Sequence, residues 1–117
     1  MIDVPRQYQE EILRILKKYF AHEKVVFYGS RVKGTSKLYS DLDVGVLGEE
    51  KIPLNRLSLA EEEFSESDIP FRVEIQDMNR CTESFRQRIE REGVEVFSIQ
   101  GSFFSNSPSY SEGKGSQ

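Results

Sequence analysis

The stretch YGSRVKGTSKLYSDLDVGV, Tyr28 to Val46, sets a Gly-Ser pair ten residues ahead of two aspartates separated by a single leucine. Upstream, KVVFY (residues 24–28) is a short apolar run ended by Gly29, which reads as a strand entering a turn. Downstream, Leu42, Val44 and Val46 alternate with Asp41, Asp43 and Gly45, the period-two pattern of a strand. Between the two, Ser30–Gly34 can open a short helix, and TSKLYS (residues 35–40) has the composition of a loop. The whole forms a hairpin-like return that brings the turn and the aspartates together.

Each half has its own chemistry. Residues i and i+2 of a strand share a face, so Asp41 and Asp43 place two carboxylates side by side. Such charges repel and raise one another's pKa unless a cation lies between them. Hard oxygen ligands suit Mg²⁺ or Mn²⁺, which also bind substrate phosphates. Gly29 lets the backbone turn sharply and approach a ligand closely. If Ser30 opens a helix, the N–H groups of its first turn attract phosphate, and Arg31 or Lys33 adds positive charge. Taken singly, each half also has a plainer reading: solvated aspartates at a sheet edge, and an ordinary strand-to-helix turn. GSRVKGTS falls short of a Walker A loop, because Thr35 stands where that motif needs lysine.

Outward from this stretch the pattern predicts further elements. Residues 3–21 form a helix with Tyr8, Ile12, Ile15, Leu16 and Tyr19 on one face and the Asp3–Pro5 segment as its start. PLNRLSLAEEEF (53–64) predicts a second helix with Leu54, Leu57, Ala60 and Phe64 towards the core. Pro70 leads into a third strand, FRVEIQDM (71–78), which alternates around Val73 and Ile75. Thr82 caps a helix over ESFRQRIERE (83–92), with Phe85 and Ile89 as its apolar pair and Gly93 as its stop, and VEVFSI (94–99) predicts a last strand. The order α-β-(α)-β-α-β-α-β implies an α/β (α+β) fold with one sheet. Residues 1–100 are expected to form one domain. From Gly101, GSFFSNSPSYSEGKGSQ is Gly/Ser-rich and without a period, so residues 101–117 are expected to be a disordered tail.

Composition narrows the function. The 117 residues suffice for one core, and no apolar run approaches the length of a membrane span. No basic, then apolar, segment opens the chain, so a soluble protein without a secretory signal is expected. Cys81 has no second cysteine to pair with, and with the lone His22 it cannot build a usual zinc site, which fits a reducing cytoplasm. A net charge of −4 lacks the basic surplus of a non-specific nucleic-acid binder, although Arg31, Lys33 and Lys37 make a local basic patch. His22 reads as a helix-end residue facing the C-terminal dipole, Cys81 as a packed small side chain. Glu61–Glu63 and the alternating Arg86, Arg88 and Arg91 read as solvated helix faces.

GSRVKGTSKLYSDLD resembles the Gly-Ser-x10-Asp-x-Asp signature of the DNA polymerase β-like nucleotidyltransferase superfamily. SDLDVGV and PFRVEIQDMN (70–79) resemble its smallest members, the minimal nucleotidyltransferases, over roughly residues 10–97. The resemblance implies a mixed sheet flanked by helices and two Mg²⁺ or Mn²⁺ ions that clamp the triphosphate of ATP. It implies that Gly29, Ser30 and Arg31 bind the nucleotide and that Asp41 and Asp43 hold metal. The third family carboxylate, usually Asp, falls here on Glu74; Asp77 is a weaker candidate because it lies on the other strand face. The resemblance further implies transfer of AMP to a tyrosine of a HEPN-type helical toxin, in a possible homo- or hetero-oligomer. Two other readings stand beside it: a binding module that neutralises its partner by association, and a small-molecule adenylyltransferase.

Overall fold

The computed structural model describes residues 4–34 and 40–97. Asp3, the segment 35–39 and the expected tail 101–117 lie outside the described residues. The elements are α1 (Arg6–Phe20), β1 (Lys24–Tyr28), α2 (Ser30–Lys33), β2 (Leu42–Leu47), α3 (Leu54–Glu66), β3 (Val73–Asp77), α4 (Glu83–Glu92) and β4 (Val94–Phe97). The strands lie in the order β3-β2-β1-β4. β1 pairs antiparallel with β2 and with β4, whereas β2 and β3, joined through α3, run parallel. The sheet is therefore mixed and flanked by helices, as the sequence implies.

Strand alternation sorts the side chains onto two faces. On one face Val25, Phe27, Val44, Val46, Val73 and Ile75 meet Ile12, Ile15, Leu16 and Phe20 of α1 and Ala60 and Phe64 of α3. Each fully buried aliphatic side chain here contributes about 1.5–3 kcal/mol of transfer free energy. On the other face Val26, Met78 and Ile89 form a smaller cluster beneath α4, with Tyr28, Leu47 and Phe85 at its margin. One face is thus covered by two long helices, and the other carries α4 and the site described below. Among the described residues no helix is long and apolar enough to cross a membrane.

The helix ends follow local chemistry with instructive departures. Thr82 caps α4 as expected, its Oγ1 accepting from the Phe85 N–H at 3.2 Å. Gly93 ends α4, but its φ of −83° is ordinary. Glycine is needed there because a Cβ would overlap Val26 Cγ1 and the Ile89 carbonyl. Leu54, expected in the core, is 62% exposed, since it opens the first turn of α3 ahead of the segment that meets the sheet.

The acidic run on α3 is only partly solvated. Glu63 accepts from Lys18 Nζ (2.9 Å), Tyr19 Oη (2.7 Å) and Arg14 Nη2 (3.2 Å), which ties α3 to α1. These bonds hold its carboxyl down at about 2. Glu61 Oε2 accepts the Ile75 N–H at 3.2 Å, satisfying a donor on the outer edge of β3.

Candidate active site

Three strands deliver the site. Tyr28 ends β1 and is the register partner of Asp43 on β2, and Asp43 is in turn the partner of Glu74 on β3. Directly opposed residues share a face, so the three side chains form a row across the sheet on the α4 side. Tyr28 meets Phe85 of α4 edge-on, with ring centroids 6.0 Å apart. Gly29 follows Tyr28 with φ +88°, and a Cβ there would overlap Asp43 Oδ2. The absent side chain is what lets the Asp43 carboxylate rest against the turn. Val32 and Lys33 N–H both donate to the Gly29 carbonyl at 3.1 Å, so Ser30 stands ahead of the first internal hydrogen bond of α2.

Asp41 sits one residue before β2 rather than inside it, with its carboxylate 3.8 Å from Arg72 Nη1. The Asp43 carboxyl is raised above the ordinary aspartate range, first by burial and then by the negative charges of Glu74 and Asp41, with Arg72 opposing. Asp43 therefore lies within the field of both other carboxylates. The Tyr28 hydroxyl is pushed up to about 12, chiefly by burial and then by Asp43 and Glu74.

A group with a raised carboxyl pKa binds its proton more tightly in the folded chain than in the unfolded one. Stability from Asp43 is therefore greatest in acid and falls as pH rises from the ordinary aspartate value through the raised one. Lowered carboxyls such as Glu63 act with the opposite sign over the same window, so the contribution is read as a difference: in metal-free thermal melts over about pH 3 to 7, Asp43→Asn should gain stability relative to the native chain as pH rises. An identical slope in the variant would contradict the crowding of the site.

A profile of the family described as "Polymerase beta, Nucleotidyltransferase" matches residues 10–101. The chain belongs to this family. A Haemophilus influenzae protein named as a probable protein adenylyltransferase, MntA, is 36% identical over 95 residues, which cover 81% of this chain and 83% of that one. Two solved structures share the fold. One is a toxin–antitoxin with AMP-PNP (18% identity, TM-score 0.67, 78% of this chain and 73% of the other). The other is a tri-AMPylated Shewanella oneidensis HEPN toxin in complex with MNT antitoxin (14% identity, TM-score 0.63, 83% and 75%).

Within this nucleotidyltransferase, hard carboxylate oxygens on Asp41, Asp43 and Glu74 fit a divalent cation, and the mutual repulsion felt at Asp43 is what such a cation relieves. Among the described residues no three acidic, His or Cys side chains already converge as a metal group. Asp41 also carries the ion pair with Arg72 beside this row. Both partners are exposed, at 42% and 65%, so that pair is worth only about 0–1 kcal/mol and yields readily.

Other candidates fall elsewhere. Arg31, expected on the phosphates, is 3% exposed, with its guanidinium 3.9 Å over the Phe71 ring and Nε donating to the Ser40 carbonyl at 2.9 Å. Phe71 belongs to the core beneath α1 and α3, so Arg31 turns away from the carboxylate row. Lys33 pairs with Glu92 of α4 at 3.3 Å, and Lys37 lies outside the described residues. Asp77 is buried and accepts from the Ile52 N–H (2.7 Å), the Asn79 N–H (2.9 Å) and Arg80 Nε (3.2 Å), which makes it a fastening for the loop after β2. Cys81 is half-buried with Sγ 3.4 Å from the Asp77 carbonyl.

Sequence reasoning missed Tyr28 and Arg72 as parts of the site. Tyr28 was detectable in principle, as the last strand residue before the turn. Arg72 precedes β3, and only the parallel pairing of β3 with β2 carries it to Asp41.

Proposed function

We propose that this nucleotidyltransferase transfers AMP from ATP to a hydroxyl, specifically a tyrosine, on a HEPN-type partner protein, and thereby acts as an antitoxin. The 36% identity to a probable protein adenylyltransferase over most of both chains carries this reading. Residues 1–100 serve as the catalytic unit, with 101–117 as a tail, and the protein works in the cytoplasm as a hetero-oligomer with its acceptor.

Gly29 and Ser30 take the β- and γ-phosphates, where the turn brings backbone close to the ligand. Asp41, Asp43 and Glu74 hold two Mg²⁺ or Mn²⁺ ions, which when bound neutralise triphosphate charge and favour a deprotonated acceptor. Glu74, opposite Asp43 in the register, faces the incoming hydroxyl and takes its proton. The acceptor oxygen forms a bond to the α-phosphorus, and the bond to the departing pyrophosphate breaks. Positioning supplies much of the acceleration, so the partner's docking matters as much as its tyrosine.

Intact-mass spectrometry of the partner tests the proposal. Mass should rise in steps of one AMP, only with ATP and divalent metal. An inhibited but unmodified partner would overturn it in favour of neutralisation by association, and modification of a small molecule alone would point to the small-molecule reading. Glu74→Gln should separate chemistry from binding: transfer falls about a hundredfold while ATP affinity stays within about twofold. Single-turnover transfer and calorimetry measure the two, and native-rate transfer would remove Glu74 from the mechanism.

A further inference from the structure

We propose that Arg31 is a positioning residue that locks the phosphate turn to the strands bearing the carboxylates, and not a phosphate ligand. Its guanidinium is wedged between the Phe71 ring, 3.9 Å away, and the Ser40 carbonyl, which accepts from Nε at 2.9 Å. Both contacts lie at points where a small shift would reach the site. Ser40 immediately precedes Asp41, and Phe71 stands three residues before Glu74. Beside them, the Leu42 N–H donates to the Arg72 carbonyl at 2.8 Å, stitching the start of β2 to the start of β3.

Arg31 is itself the second residue of α2, directly after Ser30. One side chain therefore joins α2, the entry to β2 and the entry to β3. Gly29 makes room for Asp43 from one side, and Arg31 ties the chain ahead of Asp41 from the other. A planar guanidinium can stack and donate at once, whereas a lysine ammonium keeps the charge without the flat surface or the Nε–H. Phosphate affinity in contrast tolerates lysine, which binds phosphate as a point charge.

The inference rests on the assignment of Asp41, Asp43 and Glu74 to metal. Arg31→Lys and Phe71→Leu are compared with the native chain in complex with its partner, with thermal melting to verify folding. Mn²⁺ binding without nucleotide, followed by electron paramagnetic resonance, gives a readout independent of turnover. Positioning predicts that each variant weakens Mn²⁺ binding and lowers kcat by about tenfold to a hundredfold. It predicts little change in KM for ATP at saturating metal. The double variant should be no worse than the poorer single one, because both remove one coupled unit. A raised KM for ATP in Arg31→Lys, with native Mn²⁺ binding and a fully active Phe71→Leu, would overturn the proposal and return Arg31 to the phosphates. If Phe71→Leu does not fold, native Mn²⁺ binding and kcat in Arg31→Lys are by themselves sufficient to overturn it. Native Mn²⁺ binding by Asp41→Asn/Asp43→Asn would instead show that the metal assignment itself is wrong.

Discussion

The Asp41→Asn/Asp43→Asn variant should bind ATP with no dependence on divalent metal and should transfer no measurable AMP. On the proposed assignment, removing both carboxylates would take away two of the three ligands of the ions that neutralise the triphosphate. That loss amounts to several kcal/mol of transition-state stabilisation, roughly a thousandfold or more in rate. The fold should survive. Asp43 is already held above its ordinary pKa by burial and by Glu74 and Asp41, so neutral amides relieve a repulsion in the metal-free chain. Among the described residues, the ion pair given up at Asp41 is the exposed one with Arg72. Its melting temperature without metal should equal or exceed the native one, and Mg²⁺ should no longer raise it. Calorimetry with Mg-ATP is the deciding measurement: an unchanged affinity would mean that the nucleotide site lies elsewhere.

Gly29→Ala should be nearly as damaging through a different cause. The Gly29 backbone sits at φ +88° and ψ −159°, a region almost closed to residues with a Cβ, and forcing alanine there costs about 1–3 kcal/mol. The new methyl would also overlap Asp43 Oδ2 and crowd Asp43 Cγ at 3.1 Å. A carboxylate at the end of a side chain can swing aside, so the domain folds, but Asp43 is then displaced from the row with Glu74. A misplacement of about 1 Å is enough to cost about a hundredfold in turnover. Melting curves should show a modest loss of stability, and single-turnover transfer should show the large loss of rate. Native transfer by a folded Gly29→Ala protein would mean that Asp43 does not need its contact with the turn.

The elements around the site were legible because their signals are local. Val25 to Phe27 and Leu42 to Val46 alternate or run apolar whatever surrounds them. Ile12, Ile15 and Leu16 mark the buried face of α1 by spacing alone, and Thr82 caps α4 through a bond three residues long. The Gly-Ser turn and the Asp-x-Asp were equally readable, since a positive-φ glycine and a carboxylate pair are stated by residue type. Leu54 and the Glu61–Glu63 run were misread because propensity carries no information about which turn of a helix reaches the sheet. Glu61 and Glu63 find their partners on β3 and α1, at sequence distances no local pattern spans.

The amino-acid order thus determined the strand, the turn, the short return and the two aspartates, since each depends on backbone preference and on neighbours within a few residues. It also marked Glu74 as a candidate, through its strand and its family resemblance. Only the tertiary structure decided the rest. The parallel pairing of β2 with β3 sets Glu74 opposite Asp43 and brings Arg72 to Asp41. The packing of Phe71 into the core draws Arg31 inward, away from the place its charge suggested. Pairing register and the burial of one side chain against another are properties of segments that meet in space. Asp77, which differs from Glu74 by one methylene and three positions, shows the consequence: the same kind of carboxylate is a buried fastening on one face of β3 and part of the candidate active site on the other.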